Sequence, residues 1–99
     1  PVPGTEVRSY ARITAERLTV ATLLLGYVGE ADVYLGGKLI WRGALRNAHT
    51  VDEFEIPLEL EPGQNHLMVV MRKQFPEFSF SAYLDGPQCK SNKYRYTLL

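Results

Sequence analysis

The amino-acid sequence predicts an all-β chain, an antiparallel β-sandwich or jelly roll of about seven or eight short strands. Three observations carry that expectation. The stretch Glu30 to Gly43 has the form of a hairpin with Gly36-Gly37 at its tip, and a two-residue tip that suits strand twist needs positive φ, which glycine adopts without a steric penalty. Glu61-Pro62-Gly63-Gln64-Asn65 is a second turn signal and leads into the apolar run Leu67 to Met71. Apolar and polar residues alternate from Val51 to Leu60 and again from Glu77 to Leu84, the period of a half-buried strand.

The elements follow in order. Val7 to Thr14 alternates and is expected as a strand. Arg17 to Gly26 is a longer one. A helix over Ala15 to Leu25 is disfavoured because Thr19, Val20 and Thr22 are β-branched and Leu23-Leu24-Leu25 has no helical period. In the hairpin, Ala31, Val33 and Leu35 point one way and Asp32 and Tyr34 the other, and Lys38 to Arg42 returns antiparallel. Gly43 to Thr50 is a polar loop. From Val51 to Leu60, Phe54, Ile56, Leu58 and Leu60 face the core, whereas Glu53, Glu55, Glu59 and Glu61 face water. Pro57 cannot donate to a ladder, which places this segment at a sheet edge or a bulge. Asn65 to Arg72 is apolar on both faces and suits a central strand. After a turn at Lys73 to Pro76, Phe78, Phe80, Ala82 and Leu84 point inward and Ser79, Ser81 and Tyr83 outward. Asp85-Gly86-Pro87 ends that strand, and a last one is expected over Tyr94 to Leu98.

Composition bounds the function classes. The 99 residues suit one domain with one core. Lys and Arg number 11, balanced by 11 Asp and Glu, so no net charge draws the chain to nucleic acid or to an anionic membrane. No apolar run approaches the roughly 20 residues of a membrane helix. Cys89 is the single cysteine and allows no internal disulfide. The sequence begins at Pro1, which fits a processed form or a piece of a longer protein.

Val33-Tyr34-Leu35-Gly36-Gly37-Lys38-Leu39-Ile40, a polar loop, an acidic alternating strand, then Pro62-Gly63-Gln64-Asn65-His66-Leu67-Met68-Val69 and a Phe-Ser-Phe strand follow one another between Ser9 and Leu84. This succession resembles the galactose-binding-domain-like jelly rolls, with Gly36-Gly37-Lys38 standing where Asn-Gly-Lys is usual. The resemblance implies a non-catalytic module that accompanies glycoside hydrolases and other sugar-processing enzymes. It implies carbohydrate or a neighbouring catalytic domain as the partner and an extracellular or periplasmic setting; no cofactor is expected.

The residues themselves offer one set of ligand candidates: Trp41 with Tyr34, Tyr27 and Arg42, and Arg46, Asn47 and His49 in the polar loop. Sugar rings present apolar C–H faces that stack on aromatic rings, and Arg and Asn bond hydroxyls. The competing reading is that Trp41 fills core beside Leu39 while Tyr34 covers a sheet face.

Other constellations are weaker. His49 and His66 lack further ligands at zinc spacing. Glu30, Asp32 and Asp85 lack the calcium-loop pattern. Asp52, Glu53, Glu55, Glu59 and Glu61 sit where alternation predicts a wet face, without the cleft that paired catalytic carboxylates need. Cys89 with His49 has no local support as a nucleophile and base, and no nucleophile elbow, phosphate loop or dinucleotide fingerprint occurs. Lys90, Lys93 and Arg95 with Tyr94 and Tyr96 are expected to be a solvated tail. No catalytic or metal residue is assigned. The leading expectation is a carbohydrate-binding accessory module. The alternatives are an interaction domain without a sugar site, with self-association left open, and a non-catalytic piece of a larger glycoside hydrolase.

Overall fold

A computed structural model describes residues 5–85 and the backbone strand 93–98. The strands are β1 (Glu6–Ala15), β2 (Thr19–Tyr27), β3 (Glu30–Leu35), β4 (Lys38–Arg42), β5 (Phe54–Leu60), β6 (Gly63–Arg72), β7 (Phe80–Asp85) and β8 (Lys93–Leu98). No helix occurs among the described residues. Two antiparallel sheets form a sandwich, one with strand order β1-β6-β3-β4 and the other β5-β2-β7-β8. Most connections carry the chain from one sheet to the other, so the core depends on pairings between strands far apart in sequence.

Side-chain alternation builds that core. Ile13, Leu23, Leu25, Tyr27, Val33, Ile56, Leu58, Leu60, Val69, Met71, Phe80 and Leu84 bury their side chains between the sheets, with Phe54 and Phe78 packed partly buried against them. Both turn signals hold. Gly36 and Gly37 have φ of 61° and 80° in a loop closed by the pair Leu35 and Lys38. At the second corner Asn65 is nearly buried. Its side-chain carbonyl accepts the Glu61 N–H at 2.9 Å, and its amide donates to the Glu61 carbonyl at 2.9 Å and across the ladder to the Ile13 carbonyl at 3.2 Å. One side chain thus closes the turn and ties it to β1, leaving no buried amide group unpartnered.

β5 lies at a sheet edge, as Pro57 requires, with Glu55 and Glu59 exposed beside it. Charge and proline on an edge strand oppose pairing with another chain. β6 is central, between β1 and β3.

Several boundaries differ from expectation: β1 and β6 run longer, β6 starting at Gly63 and not at Asn65, and three other strands start later. Residues 16–18 form bends, so β2 begins at Thr19 and not at Arg17. β5 begins at Phe54 and not at Val51, because Asp52 takes a left-handed φ of 57° in a turn, a conformation Asp tolerates better than most residues. β7 begins at Phe80 and not at Glu77: the Ser79 hydroxyl is committed to a loop histidine, and Pro76 precedes it. The expected break at Gly86-Pro87 lies outside the described residues.

Candidate functional site

The outer face of the β1-β6-β3-β4 sheet carries the densest polar chemistry. β3 points Ala31 and Val33 into the core, which sends Asp32 and Tyr34 to the opposite face. Asp32 lies opposite Arg42 on β4 and Val70 on β6, and Tyr34 lies opposite Leu39 and Met68. Arg42 Nε donates to Asp32 Oδ1 at 3.1 Å, and Arg72 Nη2 donates to Asp32 Oδ2 at 3.1 Å. Arg72 Nε also reaches Glu30 Oε1 at 3.3 Å, and Gln74 Nε2 donates to that same oxygen at 2.9 Å. The Asp32 side chain is 2% exposed, whereas that of Arg42 is 65% exposed. A carboxylate so covered is costly to bury without close cationic partners, and here it has two. Burial pulls the Arg72 guanidinium down, but hydrogen bonds to Asp32 and Glu30 outweigh it and hold Arg72 above its ordinary value.

Trp41 lies on the other face of its sheet. It stands opposite Val33, beyond an irregularity in the β3–β4 register, so its ring turns into the sandwich. It packs on Phe54 with centroids 5.2 Å apart and meets Tyr27 edge-on at 6.3 Å, while Tyr27 stacks on Phe54 at 5.6 Å. The fully buried Tyr27 donates its hydroxyl to the Ala44 carbonyl at 2.5 Å, and burial pushes that hydroxyl's pKa up to about 12. Trp41 and Tyr34 therefore do not share a binding platform. Tyr34 joins Arg42 on the outer face; Trp41 and Tyr27 close one end of the core.

The polar loop is held at three points. Arg46 pairs with Gly29 through its backbone, with N–O distances of 2.7 and 2.9 Å, and its guanidinium binds Glu53 through two oxygens at 3.1 and 2.5 Å. His49 places Nδ1 2.9 Å from Ser79 Oγ and Nε2 2.9 Å from Ser81 Oγ. A neutral imidazole has one donor and one acceptor, which suits two hydroxyls. Ser81, expected to face water, is buried beneath this histidine. Asn47 is exposed on the loop. Arg46 and His49 thus fix the loop against β7 and the start of β5.

Other candidates are dispersed. Glu30 and Asp32 are engaged by arginines, and Asp85 lies on the other sheet. Among the described residues no group of three or more His, Cys, Asp or Glu is placed to hold a metal ion. Glu55, Glu59 and Glu61 are exposed, while Glu53 is held by Arg46. His66 is exposed on β6, away from His49 on its loop. Cys89 and Lys90 lie outside the described residues, as do the side chains of Lys93, Tyr94, Arg95 and Tyr96.

Five residues of the outer face escaped sequence reasoning: Arg72, Met68, Tyr10, Arg8 and Arg12. Alternation places each on an outward position of its strand, but only the register of β6 with β1 and β3 sets them beside Asp32 and Tyr34. That register joins residues tens of positions apart and has no local signal.

No family model matches the chain, and no curated protein matches it. Among solved structures it is similar to a GH31 alpha-xylosidase from Xanthomonas citri, with a TM-score of 0.63 and 20% identity over 93% of this chain. The matched region makes up 10% of that enzyme's chain. At this identity the likeness shows the fold alone.

Proposed function

We propose that the chain is a non-catalytic β-sandwich module of a larger glycoside-processing protein, of the galactose-binding-like type, and that it recognises carbohydrate. The fold likeness supports this reading: nearly the whole chain corresponds to a small part of an alpha-xylosidase. Binding would fall to Tyr34 and Arg42 on the outer sheet face, with Asn47 as a polar contact from the loop. A tyrosine ring offers a stacking surface, and Arg42, whose Nε and Nη2 face Asp32, offers its remaining exposed N–H donors to sugar hydroxyls. Trp41 supports this surface from the core side, and Arg46 and His49 hold the loop. No bond is made or broken; carboxylates clamped by arginines or standing on a wet strand face lack the paired environments of an acid and a base.

The isolated chain should leave nitrophenyl glycosides unhydrolysed, yet be retarded in native gels containing a polysaccharide from a panel. Tyr34→Ala, with its circular-dichroism spectrum unchanged, should weaken the retardation roughly tenfold. Migration unaffected by every polysaccharide would overturn the proposal.

A second reading, an interaction domain without a sugar site, draws support from Leu39, Ile40, Leu45 and Val51, all exposed on β4 and the loop that follows it. Contact surfaces draw on exposed apolar residues of this kind. It would be favoured by a concentration-dependent dimer in sedimentation whose affinity falls on Leu39→Lys.

A further inference from the structure

The strand register sets Tyr10, Met68, Tyr34 and Leu39 in one row across all four strands of the β1-β6-β3-β4 sheet, on its outer face. The ends of the row are open, Tyr10 69% exposed and Leu39 41%, while Met68 and Tyr34 between them are half-buried. Tyr10 and Tyr34 are separated by the strand that carries Met68. Two strand spacings put their backbones roughly 10 Å apart, about the reach of a disaccharide in an extended chain.

The rows on either side are charged. One runs Arg8, Val70, Asp32, Arg42, and the other contains Arg12 and His66. Arg8, Arg12, Arg42 and His66 are exposed, whereas the carboxylate of Asp32 is covered. Glu6 and Glu30 lie one row further out, where they bind Arg8 and Arg72. Arg8 is paired with Glu6, and Arg42 and Arg72 with Asp32 and Glu30, so these rows keep an excess of one positive charge, carried by Arg12, although the whole chain is neutral.

From this arrangement we infer that the face binds an extended acidic polysaccharide, one bearing uronic-acid carboxylates, laid across the strands with sugar rings on Tyr34 and Tyr10. This deepens the proposed function and rests on it. The two tyrosines supply stacking, Arg12 meets a carboxylate directly, and Arg8 and Arg42 add the outer edges of guanidinium groups whose other N–H donors face Glu6 and Asp32. Arginine suits this role because its planar fork matches a carboxylate through two parallel bonds. Aromatic spacing sets the direction of the chain, and the flanking charges select an acidic polymer over a neutral one.

The test is affinity electrophoresis and titration calorimetry of the whole chain with polygalacturonate, a neutral β-glucan and poly-glutamate. Polygalacturonate should bind best. Its affinity should fall roughly tenfold with either Tyr10→Ala or Tyr34→Ala, the scale of one lost stacking contact, and should weaken as salt screens the arginines. Arg12→Gln should flatten that salt dependence. Tyr10 is exposed enough for its alanine variant to keep the fold, which circular dichroism checks. Retention by the neutral glucan alone, lost with Tyr34→Ala and unchanged with Tyr10→Ala, would overturn this inference and leave carbohydrate recognition standing. Binding to poly-glutamate as tight as to polygalacturonate would overturn it in favour of an acidic protein partner. Retention by no glycan would end both proposals.

Discussion

Trp41 shows how one side chain's direction changes what its removal means. Its ring packs on Phe54 and Tyr27 at one end of the core. Trp41→Ala should therefore lower stability by about 3 kcal/mol, the cost of emptying a large aromatic site, measurable by urea denaturation. A loss of glycan binding in that variant would be uninterpretable without this measurement. Tyr27 gives a pH signature. Its hydroxyl is raised from 10.0 to about 12, chiefly by burial. Above pH 10 the unfolded chain releases this proton while the folded chain keeps it, so the unfolded state binds fewer protons and stability falls until the pH passes about 12. Tyr27→Phe should remove this part of the alkaline decline, seen as a shallower loss of melting temperature over that range. It should also lose about 1 kcal/mol at neutral pH with the bond to Ala44. Both aromatic residues were noticed in the sequence as ligand candidates. The competing expectation, Trp41 in the core and Tyr34 over a sheet face, is the one the structure shows: the register irregularity after Val33 turns Trp41 inward, and Tyr27 shares the inward face of β2 with Leu23 and Leu25.

The hairpin β3–β4 was the most legible element. Its glycine tip and its alternation predicted both strands and the faces of Ala31, Val33, Asp32 and Tyr34, and the structure agrees. What alternation could not say is that Asp32, on the outward face, is covered. That follows from Arg72, which belongs to β6 and reaches Asp32 from 40 residues away. The arrangement makes a clear prediction. Arg42→Ala or Arg72→Ala alone leaves Asp32 one cationic partner, and each should cost about 1–2 kcal/mol. The double variant strands a buried carboxylate and should cost more than the two singles together, about 3–5 kcal/mol, by chemical denaturation at neutral pH. Simple additivity would mean that the two arginines do not act on a shared charge. The strand ends were less legible than the strands. Asp52 and Ser79 leave the ladders for a turn and for a loop histidine, and neither commitment has a periodic signature.

At the scale of the molecule, period-two patterning and two turn signals were enough for the sandwich, because a strand with one apolar face has to cover it with another sheet. The functional face was half legible. Tyr34 and Arg42 stood out in the sequence, whereas Tyr10, Met68 and Arg72 join them only through pairing between β1, β6 and β3. Charge followed the same rule: equal numbers of acids and bases gave no hint that one face collects exposed arginines. The central claim is that this face of the β1-β6-β3-β4 sheet, and not the Trp41 end of the core, receives carbohydrate. The most direct test is an amide NMR titration of the chain with an oligogalacturonide. Shift changes should concentrate at Arg8, Tyr10, Met68, Tyr34 and Arg42. Changes centred on Trp41, Tyr27 and Phe54, or none at saturating ligand, would contradict it.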